Sequence, residues 1–169
     1  MVSATSCSPA HAVTRDDTGR VLIFRVENQH VAEWGVPLSA LNDPDPPVVF
    51  RLDSLRATER AWQPFLERVS LACVEMVLSE WMLAGDAFAD NRELDDETIV
   101  LLEKQFRRLP MPYYPLWAAP DRGAVRWFEG LGAILRADSG TWLWVRAQSA
   151  DAIDSVRRAL PGEWLMDAR

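Results

Sequence analysis

Apolar residues along this chain come first in short β-like runs, then at helical spacing, then in β-like runs again. Val21 to Val26, reading VLIFRV, is β-branched, apolar and too short for a buried helix, which predicts a strand covered on both faces and central in its sheet. Glu27-Asn28-Gln29 interrupts it, and His30 to Trp34 resumes with Val31 and Trp34 as the packing residues of a return strand. The stretch Asn42 to Pro47 is a loop, because each proline lacks an N–H and biases the residue before it towards extended geometry; it leads into a third strand, Val48 to Leu52. From Pro64 to about Ala84, Phe65, Val69, Ala72, Cys73, Met76, Val77 and Leu83 recur at three- and four-residue steps. That spacing predicts an amphipathic helix with Pro64 in its first turn.

A second helix is predicted from Asp96 to Arg107, with Asp95 as N-cap, Leu94 packing on Ile99 as a staple, and Arg107 and Arg108 complementing the dipole at its end. After a proline-rich crossing from Leu109 to Pro120, Val125 to Phe128, Leu131 to Arg136 and Thr141 to Arg146 read as a meander, with Asp138-Ser139-Gly140 turning the last pair. Ser149 caps a final helix whose Ile153, Val156 and Leu160 share a face; Pro161-Gly162 ends it, and Trp164 packs back. Residues 1–19 are small, polar and aperiodic, a flexible lead-in to one domain over 20–169. The expected class is α+β, a mostly antiparallel sheet of about six strands packed against helices.

Composition adds limits more than answers. At 169 residues with 49% hydrophobic side chains and eight tryptophans, the chain can bury a real core. Its net charge of −7 disfavours a generic binder of nucleic acid or of an anionic membrane, and a basic partner is more compatible. The first twenty residues show no signal-peptide pattern, no apolar run is long enough to span a bilayer, and Cys7 and Cys73 make no disulfide framework. A reducing cytoplasm is the expectation.

Candidate chemistry is sparse. His11 and His30 have no Cys or His partner at zinc spacing, and no nucleophile-elbow pattern supports a Ser-His-Asp arrangement. Gly130-Leu131-Gly132 lacks the third glycine of a dinucleotide loop, and Asp43 and Asp45 lack the other oxygens of a calcium loop. Trp142 and Trp144 share one strand face without the basic residues of a stacking platform for single-stranded nucleic acid. No catalytic, cofactor or metal site is therefore expected. The densest charge is acidic: Asp86, Asp90, Glu93, Asp95, Asp96 and Glu97 face a single Arg92, which reads either as a solvated loop with a helix start or as a docking patch for a basic protein.

Read as one string, VLIFRVENQHVAEWGVPLSALNDPDPPVVF resembles the core signature of the SUKH superfamily: a strand into Glu27-Asn28-Gln29, a second strand with Trp34, then Asp45-Pro46-Pro47-Val48 and a third strand. The likeness extends through Trp62 and Phe65 to a closing strand–strand–helix unit near Gly162 and Trp164. Two departures stand out. The helices with a Leu-Pro element that members carry ahead of the first strand are reduced or absent here, and His30 occupies a position where a glycine is usual.

The resemblance implies an α+β fold without catalytic residues. Its bacterial members are mostly immunity proteins that neutralise a cognate polymorphic toxin, often a nuclease or deaminase, and its fungal members are regulators acting through protein contacts. On that reading Glu27, Asn28 and Gln29 serve the fold by tying loop backbone. The acidic segment from Asp86 to Glu97 is the leading contact surface for a basic toxin domain, with a regulatory adaptor as the alternative and a small-molecule enzyme a distant third.

Overall fold

A computed structural model describes residues 13–27, 29–52, 61–84, 88–138 and 140–165. Cys7, His11, Asn28, Asp86 and Ser139 lie outside the described residues. The fold is α+β, with three α-helices and two antiparallel sheets. The chain divides after Ser70 into two compact units, each with its own sheet, where the pattern predicted one sheet of about six strands. Two separate buried-strand clusters look like one sheet in a sequence, because period-two alternation says which face is covered and not which strands pair.

The first unit is a five-stranded meander in chain order: β1 (Thr14–Arg15), β2 (Val21–Val26), β3 (Ala32–Pro37), β4 (Val48–Leu52) and β5 (Gln63–Leu66). β2 is therefore second from an edge, and its burial alternates along VLIFRV in place of the expected cover on both faces. Trp34, Val48 and Phe50 are almost fully buried, and Phe65 meets the rings of Trp34 and Phe50 edge-on at 6.1 and 5.9 Å. Each such side chain contributes about 1.5–3 kcal/mol of burial energy. Gly35 is obligatory in β3, since a Cβ there would sit 2.5 Å from the Val21 side chain and 2.8 Å from the Leu22 carbonyl oxygen.

The lead-in ends earlier than residue 19. β1 pairs with β2, and Asp16 in the turn between them is buried, accepting hydrogen bonds from the Arg20 and Val21 N–H groups, the Thr18 hydroxyl and the Trp62 indole. A two-residue strand shows no periodicity, so only the turn chemistry marks it. Burial alone would raise the Asp16 carboxyl, but these hydrogen bonds hold it well below the usual carboxylate range. A depressed native pKa stabilises the fold above the unfolded value near pH 4 and is lost as pH falls through the native value. Acid titration of stability is accordingly expected to steepen below about pH 4, and Asp16→Asn to flatten that slope in pH-dependent urea unfolding.

Pro64 lies in edge strand β5 and not in a helix; edge strands tolerate proline, and Phe65 and Leu66 are drawn into the sheet. Helix α1 begins later and spans Val69–Leu83. Its buried positions are Ala72, Glu75, Ser79 and Met82, while Cys73, Val77 and Leu83 of the predicted apolar stripe are exposed. The inward face keeps Ala72 from the predicted stripe but is turned away from Cys73 and Val77, because polar partners in the second unit claim Glu75 and Ser79.

That unit contains β6 (Ala89–Glu93), α2 (Asp96–Gln105), β7 (Arg107–Arg108), β8 (Tyr114–Pro115), β9 (Ala124–Gly130), β10 (Ala133–Asp138), β11 (Trp142–Ala147) and α3 (Ala150–Ala159). Its sheet runs β6-β11-β10-β9-β7, with β8 also on β9. The two helix caps predicted from sequence are in place: Asp95 accepts from the Thr98 N–H and Ser149 from the Ala152 N–H. Arg107 and Arg108 form β7 instead of extending α2, whose last turn carries Lys104. Leu102, Leu135, Leu143, Val156 and Leu160 centre a core closed by Trp164, which donates to the Leu160 carbonyl.

Candidate functional site

The residues of the resemblance motif act within the first unit. The Glu27 carboxylate accepts the Gln29 N–H, the Glu27 carbonyl accepts the His30 N–H, and the Glu27 N–H donates to the Ala32 carbonyl, which closes the β2–β3 turn. His30 takes a left-handed φ of 58°, the conformation for which a glycine is suited. Trp34 is 2% exposed, with the Arg25 guanidinium 4.5 Å from its ring centroid. Asp45 caps α1 from a distant loop: its carboxylate accepts both the N–H and the hydroxyl of Ser70, and the carbonyl of buried Pro46 accepts the Val69 N–H. The bonds from Ser70 lower the Asp45 pKa. Pro47 is exposed and passes the chain into β4. Asp45→Ala is expected to lower Tm by about 2–4 °C and to speed amide exchange in the first turn of α1, which hydrogen exchange will register.

The acidic segment separates into two groups. Asp90 and Arg92 point inward from strand β6: Asp90 is 3% exposed, and one of its oxygens accepts two hydrogen bonds from Arg157, at 2.6 and 2.9 Å. Arg92 donates to the Leu160 and Pro161 carbonyls and lies 3.6 Å from Asp95. Asp90 is therefore withdrawn from the proposed contact surface, because a paired buried carboxylate belongs to the scaffold. Glu93, Asp95, Asp96 and Glu97 are exposed at the passage from β6 into α2. Asp95 is spent in part on the cap, and its hydrogen bonds from Thr98 lower its pKa. Asp96 and Glu97 sit in the first turn, where the helix dipole favours negative charge.

A buried polar network in the second unit escaped the sequence reading. Trp127 donates its indole N–H to the Tyr114 hydroxyl at 2.7 Å, and Tyr114 in turn donates to Glu75 at 3.5 Å. Ser79 donates to the same Glu75 oxygen at 2.6 Å and accepts from Arg136, whose Nε donates to Asp138 at 2.6 Å; Trp144 donates to the other Asp138 oxygen. Burial pushes the Asp138 carboxyl up, with Arg136 opposing, and burial together with Glu75 pushes the Tyr114 hydroxyl up. Burial disfavours charge on Arg136 too, but Asp138, Tyr114 and Glu75 outweigh it and raise its pKa. Glu75 and Ser79 lie four residues apart on one helix face, and Arg136 and Asp138 two apart on one strand face, which is the signal available in sequence.

Chemically, this network binds a helix to a sheet by mutual satisfaction of charges. In the first unit Arg51 ties β4 to β3 and to the β1–β2 turn, donating to Glu33 and Asp17 with the Trp62 ring 4.7 Å away. Among the described residues, no three His, Cys, Asp or Glu side chains are grouped to hold a metal ion, and no helix is long and apolar enough to cross a membrane. No family model, no curated protein and no solved structure matches this chain.

Proposed function

We propose that this protein is a non-catalytic, cytoplasmic binding protein of the immunity type, which neutralises a basic toxin domain by covering it. The observation that carries the reading is the exposed run Glu93, Asp95, Asp96 and Glu97 on a chain of net charge −7. Clustered acids raise the encounter rate with a basic surface and orient its approach, as suits a protein that must outrun a nuclease or deaminase. The buried ionisable groups support the same reading, since Asp16, Arg51, Asp90, Arg92, Arg136 and Asp138 are each bound by protein partners. The Glu27 to Pro47 motif supplies the resemblance to SUKH immunity proteins.

The test is co-expression with the toxin domain encoded by the neighbouring reading frame. Restored growth together with a purified 1:1 complex is expected. Growth arrest despite expression of folded protein, or a neighbourhood that encodes no toxin, overturns the proposal.

A further inference from the structure

A shallow groove of about 310 Å3 opens on the second unit, at the end of the sheet where β9 begins. It is lined by Tyr113 ahead of β8, Arg122 and Gly123 at the end of a 3-10 turn, Ala124 and Arg126 of β9, and Gly140 in the β10–β11 hairpin. The charged residues of this lining are both arginines.

Strand register brings them together. β8 pairs antiparallel with β9 at Tyr114↔Val125 and Pro115↔Ala124, and one further step in that register sets Tyr113 opposite Arg126. Tyr114 and Val125 are buried, so alternation sends Tyr113, Ala124 and Arg126 to the other face. Gly123 at φ 123° and Gly140 at φ 70° hold turns that residues with a side chain rarely adopt. A Cβ on Gly140 would meet nothing within 4 Å, so the backbone there is open to close approach.

The charge of the occupant follows from Arg122. Among the described residues of this unit, every other arginine has a hydrogen bond or an ion pair, and Arg122 has neither. The chain holds 25 acidic against 18 basic side chains, yet no described acid is placed on this guanidinium. Arg126 gives one Nη to exposed Glu103 at 3.1 Å, a single surface contact that a dianion can displace. Two guanidinium forks exceed what one carboxylate needs and suit a phosphate.

Tyr113 sets the rest of the ligand. Arg108 donates to its hydroxyl at 2.6 Å and lies 4.2 Å from its ring centroid, while the residue stays 62% exposed. A ring held from one side and reached by solvent on the other is a stacking surface for a second flat ring. The groove volume is at the small end of ligand sites, and the net charge of −7 around it repels a nucleic-acid strand.

We propose that this groove binds a small phosphate monoester carrying a flat ring, of the nucleoside monophosphate class, with the phosphate on Arg122 and Arg126 and the ring on Tyr113. The site is separate from the acidic run at 93–97 and goes beyond the binding function above.

The experiment titrates the 15N-labelled full chain separately with adenosine 5′-monophosphate, inorganic phosphate and adenosine. Amide shifts at Gly123, Ala124, Arg126 and Gly140 are expected with the monophosphate, which should bind at least about fivefold more tightly than phosphate or adenosine alone. Arg122→Gln is expected to weaken the monophosphate and phosphate at least about fivefold, with Tm unchanged because the side chain has no partner to lose. Tyr113→Ala should bring the monophosphate down to the affinity of phosphate and leave phosphate itself unaffected. Arg158→Gln, which removes an exposed charge of α3 outside the groove lining, should leave both unchanged. Absent shifts up to about 10 mM monophosphate, or shifts centred elsewhere, overturn the proposal. So do equal affinities for monophosphate and phosphate, unchanged binding in Arg122→Gln, or an equal loss in Arg158→Gln.

Discussion

Replacing Arg136 by leucine is expected to cost about 3–5 kcal/mol of stability, although the substitution adds apolar surface to an interior position. The residue is 7% exposed and its side chain is held by Asp138 and Ser79, with the Trp127 ring 5.6 Å away. Removing it leaves Asp138 buried without its cationic partner, and an uncompensated buried carboxylate costs far more than the net worth of the pair. Adding Asp138→Asn to Arg136→Leu should recover part of the loss, because the stranded charge is removed with it. The pH dependence has a definite sign. Burial raises the Asp138 carboxyl while Arg136 holds it down, so loss of Arg136 lifts it further. A carboxyl raised in the native state takes up its proton more readily there than when unfolded, so its contribution to stability declines as pH rises through that window. The deficit of Arg136→Leu is therefore expected to narrow between pH 7 and about pH 4 in urea unfolding. A deficit below about 1 kcal/mol at pH 7 would mean that the network is not what fixes α1 to its sheet.

What the sequence revealed is what local chemistry encodes. Val21 to Val26 and Val48 to Leu52 were legible as strands because β-branched apolar residues sit between turn residues, and both occur as such. Asp95 and Ser149 were legible as caps because a side-chain oxygen satisfying an N–H three residues on is a contact within one turn. Strand β6 was hidden for the opposite reason. Its inward residues are Asp90 and Arg92, so polar side chains occupy both faces and no alternation shows. What buries them, Arg157 and the Leu160 and Pro161 carbonyls, lies 67 to 69 residues away. α1 misled in the same manner, since its apolar residues surround it and only the distant Arg136 and Tyr114 determine which face turns inward. Of the candidate contact residues, the acids at 93 and 95–97 are exposed, whereas Asp90 is buried and paired with Arg157.

That division yields an expected result opposite for neighbouring acids of one segment. Asp90→Lys places a second cation beside Arg157 at a position 3% exposed, and is expected to lose about 3–5 kcal/mol or fail to fold. Reversing the exposed Glu93, Asp96 and Glu97 to lysine should cost only about 1 kcal/mol, chiefly from unfavourable charge at the start of α2. Asp95 is left intact so that the cap survives. On the proposed function the triple variant slows association with a basic toxin domain by about tenfold at low salt, and the deficit shrinks as ionic strength brings the Debye length to about 8 Å. Dissociation changes little, because exposed charges at an interface rim set the encounter and buried anchors set the residence time. Protection in co-expression is then weakened without being abolished. Stopped-flow association at two salt concentrations, with urea unfolding of each variant alongside, checks both halves. Equal stability of Asp90→Lys and wild type would remove Asp90 from the scaffold, and unchanged association in the triple variant would remove the acids from the encounter.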